Sequence, residues 1–245
     1  MTQSSIAAYI LRNRWVVFIV APAAAWIRSF IAWPFKVIKF RGVHFGNHVK
    51  LIGLRGISIG HNSVIGAGTW LNVNDPKKYP DSIVIGENCF IGQDSLLTAG
   101  RSIAVRDYCL TARGVALIGA AHAYSDPSTP YSRSGVTSES RIYIGVNCFI
   151  GLGARIVGDV SIGHGSVIGA GAEVRDSIPC FSLVVGSPAR PIKRYDFSLN
   201  EWVSWPRDDY TGGPNEDEYL RKLQQQHRWI IQPIAAAWRG KMNSL

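Results

Sequence analysis

The chain has 245 residues, 47% of them hydrophobic and 18% charged, enough to bury one substantial core. Twenty-five glycines argue against a helical bundle and for a strand-rich, turn-rich protein, and four cysteines with no CxxC pair fit neither a zinc knuckle nor a disulfide framework. The formal charge of +9 predicts attraction to something anionic, be it nucleic acid, an acidic membrane surface or a phosphorylated cofactor, and charge alone does not choose among them.

Residues 1–43 form the first element. Arg12 and Arg14 precede thirteen apolar residues, Trp15 to Ile27, closed by Arg28. That run is short of the roughly 20 residues needed to span a bilayer. With Pro22 inside it and Trp26, Phe30, Trp33 and Phe35 around its end, it reads as a hydrophobic helical segment. Residues 6–35 would either lie at a membrane interface or pack on the body of the protein.

From residue 44 a different grammar begins. Ile59-Gly60, Ile65-Gly66 and Leu71 are followed by Ile85-Gly86, Ile91-Gly92 and Leu97. The clearest run is Ile144-Gly145, Ile150-Gly151, Ile156, Ile162-Gly163, Ile168-Gly169, Val174. An aliphatic residue every six positions matches neither a helix, whose apolar residues recur near every 3.6, nor a lone strand, which alternates every two. Six residues suit a short strand plus a corner, and three such units close a triangular turn. Corners fall at Asn62, Gly68, Asn88, Asp94, Gly100, Asn147, Gly153, Asp159, Gly165 and Gly171, residue types that tolerate positive φ. The residue after the corner is small and inward: Cys148, Ala154, Val160, Ser166, Ala172. Cys89 and Cys109 take the same position, so these cysteines are packing residues, consistent with a reducing compartment. The repeat covers about 45–192 and is interrupted near 72–84 and at 122–141.

The second interruption departs after Leu117-Ile-Gly-Ala-Ala-His122 into the Ser/Thr/Pro-rich stretch Ala123-Tyr-Ser-Asp-Pro-Ser-Thr-Pro-Tyr131. Long loops in regular solenoids are more often functional than decorative. A neutral imidazole near working pH suits removal of a proton from a hydroxyl, which makes His122 the candidate general base, with Asp126 as a group that could orient it. His61 and His164 occupy outward positions with a solvated face as default, and no set of three histidines offers a metal site. Past the last coil, Ala170-Gly-Ala-Glu-Val174-Arg175-Asp-Ser-Ile178-Pro179 runs on to Gly186-Ser-Pro-Ala-Arg190-Pro-Ile-Lys193-Arg194. Asn215-Glu-Asp-Glu218 then starts a capped helix carrying Tyr219, Leu220, Leu223, Trp229 and Ile230 up to Pro233.

The hexad pattern, the segment His122-Ala-Tyr124-Ser-Asp126-Pro127 and this terminus resemble the hexapeptide-repeat acyltransferases, in particular their sugar and xenobiotic O-acetyltransferases. Periodicity does not fix the hand of the coil. The resemblance implies a left-handed parallel β-helix, a homotrimer with active sites between neighbouring prisms, and acetyl-CoA as donor with no metal. It implies His122 as base, with Ala170, Val174 and Arg175 lining the cofactor and Arg190 and Lys193 reaching its phosphates. Asp94 sits where galactoside-type relatives place an acceptor-binding Asn, yet a corner favours Asp on conformational grounds alone. Leu152 stands where family members often carry a polar residue, so contact there is apolar or through backbone.

The resulting expectation is an all-β protein in three parts. Residues 1–43 form the N-terminal helical segment, 44–194 the β-helix with its 122–141 loop, and 195–245 a linker and helix. It would acetylate a hydroxyl of a sugar, in surface polysaccharide or glycan biosynthesis, in the cytoplasm or at the cytosolic face of the membrane. A signal peptide fits poorly, because export would separate the enzyme from acetyl-CoA. The alternatives are a xenobiotic acetyltransferase and a non-catalytic β-helix assembly protein. A nucleic-acid partner is not expected, since aromatic-basic clusters are missing.

Overall fold

In the computed structural model, residues 39–137, 139–206 and 212–227 are described. Contacts divide the chain into residues 1–41 and 42–245. Segment 6–35, expected either at a membrane interface or packed on the body of the protein, lies outside the described residues, as do Trp229, Ile230 and Pro233. Among the described residues no helix is long and apolar enough to cross a membrane.

From His44 the chain winds as a β-helix of three parallel sheets. One sheet stacks strands 44–45, 64–65, 90–91, 110–111, 149–150, 167–168 and 182–186 in register. The second stacks 50–52, 70–73, 96–99, 116–118, 155–157 and 173–174, and the third stacks 57–59, 83–85, 102–105, 141–144 and 160–162. Each coil visits the first, second and third sheet in turn. The hexad aliphatics fill the prism: Ile65, Ile91, Ile150 and Ile168 from the first sheet, Leu71, Leu97, Leu117 and Ile156 from the second, Ile85 and Ile144 from the third, each 0–1% exposed. Fully burying such a side chain stabilises by about 1.5–3 kcal/mol, the main favourable term here.

Two of the three corners follow the expected rule. At the first-to-second corner Gly68, Asp94, Gly114, Gly153 and Gly171 have positive φ, and at the third-to-first corner Asn62, Asn88, Asn147 and Gly165 do, joined by the bulky Tyr108 and Phe181. The second-to-third corner departs from it. There Gly158, not Asp159, takes positive φ, and the Asp159 carboxylate accepts the Arg141 N–H at 2.9 Å. Gly100 is not among the positive-φ residues; its lack of a Cβ matters because one would lie 2.8 Å from the Ser140 carbonyl oxygen.

The small inward residues form a column that bonds as well as packs. The side chains of Ser63, Cys89, Cys109, Cys148 and Ser166 each donate to a carbonyl of the following coil, at 2.7, 3.1, 3.0, 3.3 and 3.0 Å. Burial pushes the Cys89 and Cys109 thiols well above the ordinary range.

Residues 195–204, expected as a linker, instead extend the first sheet. Strand 189–196 turns back antiparallel on 182–186, and 201–204 pairs with it in turn. The helix Glu216–Gln226 starts as expected, with Asn215 Oδ1 accepting the Glu218 N–H at 2.9 Å. It docks on the third-to-first corner, where Glu216 accepts the Val146 N–H at 2.7 Å and the Tyr143 hydroxyl. Tyr219, Phe181, Phe197 and His164 interlock edge to face and tilted beside it. His164, expected to be solvated, is half-buried there, its Nε2 3.0 Å from the Pro214 carbonyl oxygen.

Two measurements test this packing. Native protein should react with a thiol reagent at Cys180 alone, the one half-buried cysteine, and at all four once unfolded; fast labelling of Cys109 would contradict the inward column. Glu216→Ala strips an acceptor from two donors at once and should lower unfolding stability by about 1–3 kcal/mol in denaturant titration; an unchanged midpoint would contradict the docking.

Candidate active site

Both interruptions of the repeat leave the prism at the same second-to-third corner. Residues 74–82 depart after strand 70–73 and residues 119–140 after strand 116–118. The coil between them makes the same corner with only Gly100 and Arg101, so the two insertions flank a tight turn. They are joined: Glu139 Oε1 accepts the Tyr79 hydroxyl at 2.9 Å and lies 3.4 Å from Lys78 Nζ. The Tyr79 and Lys78 donors hold the Glu139 carboxyl below its usual value.

The longer insertion is an arm with its own hairpin. Ala121–His122 pairs antiparallel with Val136–Thr137, His122 opposite Val136. Its outer end is braced by Ser134, whose hydroxyl donates to the Ala123 and Tyr131 carbonyls at 2.5 and 2.9 Å. Asp126 Oδ1 accepts the Ser128 N–H at 2.9 Å and its hydroxyl at 2.6 Å, while Oδ2 accepts the Thr129 hydroxyl at 2.8 Å. The Ser128 and Thr129 donors keep the Asp126 carboxyl below its ordinary value. Asp126 thus shapes the loop, and among the described residues no hydrogen bond joins it to His122. His122 is exposed, as are Tyr124 and Tyr131 nearby.

The other candidates lie elsewhere on the prism. Asp94 is at the first-to-second corner with φ 56°, its carboxylate 2.8 Å from both Arg113 Nε and Nη2. It therefore meets the conformational demand of the corner and carries an ion pair, and it does not share a corner with His122. Ala170 is exposed at the same corner of a later coil. Val174 is 1% exposed, its side chain committed to the core, so only its backbone can border a ligand. Arg175 pairs with Glu173 at 2.6 Å and Arg190 with Asp176 at 3.2 Å, both arginines largely exposed. Lys193 is exposed on strand 189–196. The last coil and its returning hairpin thus present three cations on the C-terminal part of the prism. The Arg190–Asp176 pair is exposed on both sides and contributes little, about 0–1 kcal/mol, so its guanidinium can exchange its partner for phosphate at small cost. Glu173 is only 20% exposed and keeps Arg155 at 3.8 Å when Arg175 turns to a phosphate.

Two features escaped the sequence. The Lys78–Tyr79–Glu139 tie joins residues about sixty positions apart. The polar pair Asn72 and Thr98, in register on the outer face of the second sheet, lies beside the root of the arm. The interruption at 72–84 was visible; that it shares a corner with the arm becomes evident only when the coils are stacked.

The comparisons agree with this frame. A family model described as the hexapeptide repeat of succinyl-transferase matches residues 49–72, 82–118 and 141–174, breaking at both insertions. The chain is 28% identical over 141 residues to a Mycobacterium tuberculosis protein named a probable acetyltransferase, covering 56% of this chain and 45% of that one. It is 32% identical over 110 residues to the serine acetyltransferase of Synechococcus elongatus, covering 45% of this chain and 40% of that one. The aligned stretch is thus less than half the length of these two relatives. A solved mutant of AntD, an N-acyltransferase from Bacillus cereus in complex with dTDP and coenzyme A, superposes with TM-score 0.56 at 23% identity, covering 68% of this chain and 90% of that one. At that identity the likeness is one of fold. In its repeat, its stacked coils and its acetyltransferase relatives the chain is similar to the hexapeptide-repeat acyltransferase superfamily.

Proposed function

We propose that the protein is an O-acetyltransferase that moves an acetyl group from acetyl-CoA to a sugar hydroxyl, with His122 as general base. The observation that carries the reading is the placing of His122: it sits exposed at the root of the longest insertion, in a hairpin that holds its backbone while its ring stays accessible. A base must be reachable by the proton it removes. The acetyltransferase relatives support the class of reaction, and the sugar rests on the sequence resemblance.

The donor is assigned to the C-terminal part of the prism. Arg175, Arg190 and Lys193 supply the charge-assisted donors that nucleotide phosphates require. Ala170 offers an open corner along which a pantetheine chain can run, and Val174 contributes backbone only. His122 takes the proton of the acceptor hydroxyl as its oxygen attacks the thioester carbonyl. The C–S bond then breaks, the sulfur leaves with the electron pair and collects the proton from the imidazolium, giving an acetyl ester and free thiol. Neither a cysteine nor a serine nucleophile is needed.

A homotrimer of left-handed coils, with each site between neighbouring prisms, completes the proposal. It would bring the first-to-second corner of one copy, with Asp94 and Ala170, toward the arm of another. Peripheral attachment of residues 6–35 to a membrane is part of the same reading, and would hold the enzyme near a lipid-linked acceptor.

Release of free thiol from acetyl-CoA in the presence of sugar acceptors tests the assignment. His122→Ala should lower turnover about 10²–10⁴-fold while thermal stabilisation by millimolar acetyl-CoA persists. Near-wild-type turnover would remove His122 from the chemistry, and absence of stabilisation in the parent protein would remove the donor.

A further inference from the structure

We infer, building on the acyl-transfer reading above, that Asn72, Asn74 and Thr98 form the acceptor subsite and that it is built for a neutral, polyhydroxylated molecule. The outer face of the second sheet next to the arm carries the row Ile52, Asn72, Thr98, Ile118, each in register with the next. An amide and a hydroxyl stand between two isoleucines, and both are half-buried rather than freely solvated. Asn72 Nδ2 donates to Asn74 Oδ1 at 3.1 Å and, over a longer 3.4 Å, to Thr98 Oγ1.

These bonds fix which groups are left over. Both protons of the Asn72 amide are engaged, so its Oδ1 remains as an acceptor. Asn74 keeps its own amide protons as donors, and Thr98 keeps its hydroxyl proton. The result is a donor, an acceptor and a donor pair side by side. Neighbouring sugar hydroxyls, each able to donate and accept, match such an array. The flanking isoleucines suit the apolar faces of a sugar ring.

Position and charge point the same way. The Thr98 carbonyl accepts the Gly119 N–H at 2.9 Å, three residues before His122, so the polar pair sits at the root of the arm that carries the base. Lys78 and Glu139 are tied to each other and to Tyr79 where the two insertions meet, the Asp75 carboxylate accepts the Lys77 and Lys78 N–H groups, and Arg101 stands on the corner beyond Thr98. The row Ile52, Asn72, Thr98, Ile118 itself carries no charged side chain, so it offers hydrogen bonds and apolar contact, which favours a neutral polyol over an amino acid or an amine.

The probe is methyl β-D-glucopyranoside, with acetyl-CoA as donor and thiol release as readout. Thr98→Val keeps the shape and removes the hydroxyl; it should raise KM for the glycoside at least about tenfold, the worth of one hydrogen bond. KM for acetyl-CoA should stay within about twofold under the same principle, because the donor lies elsewhere. Asn72→Ala should act in the same direction, and Thr98→Ser, which keeps the hydroxyl, should restore the parent KM. An unchanged glycoside KM in Thr98→Val overturns the subsite. So does a parent protein that is stabilised by acetyl-CoA yet acetylates no glycoside, an outcome that leaves acyl transfer standing. A parent protein that acetyl-CoA does not stabilise overturns the acyl-transfer reading itself, and the subsite with it.

Discussion

The strands of the stacked coils are two to five residues long, and no strand of that length holds itself together. Each coil exists because the coils above and below satisfy its backbone in register. The column Ser63, Cys89, Cys109, Cys148 and Ser166 adds a side-chain bond from one coil to the next at the same angular position. Stability is thus close to a sum of neighbour terms along one axis. A residue added inside a strand would break register with two neighbours, so extra length is tolerated only at corners.

That constraint decides where function can be placed. Both insertions fall at the second-to-third corner, the one whose turn chemistry is least regular. There Gly158, the Asp159 side chain and the narrow passage at Gly100 do work that positive-φ residues do alone at the other two corners. Because the corners are stacked, insertions about forty residues apart in sequence become neighbours in space, tied through Glu139. The C-terminal end is governed by the same logic in reverse. Among the described residues no further coil follows strand 182–186, and the chain folds back as strands 189–196 and 201–204, presenting Arg190 and Lys193 where the coil stops.

Much of this was legible in the chain because a six-residue period leaves so few geometries open. Ile144 to Val174 announced the prism, and Asn147, Gly153, Gly165 and Gly171 announced corners that all have positive φ. The three inward cysteines and the Asn215 cap followed from local chemistry. What stayed hidden depended on contacts distant in sequence. The burial of His164 comes from a helix fifty residues later. The conversion of 195–204 into sheet comes from an open edge that a linear pattern does not display. Asp126 is occupied by Ser128 and Thr129, so the triad-like geometry suggested by its spacing from His122 gives way to a locally braced loop. Val174 obeyed the repeat and turned inward, which limits its role to backbone.

The exposed base on the arm and the cationic C-terminal turn are proposed to serve one site, and a crystal structure of the full chain with acetyl-CoA decides whether they do. The nucleotide phosphates should lie against Arg175, Arg190 and Lys193, with the thioester carbonyl facing a His122 ring, from the same or a neighbouring copy, across a gap that one hydroxyl group would fill. A donor bound away from those cations, or a thioester that no His122 faces, would contradict a shared site.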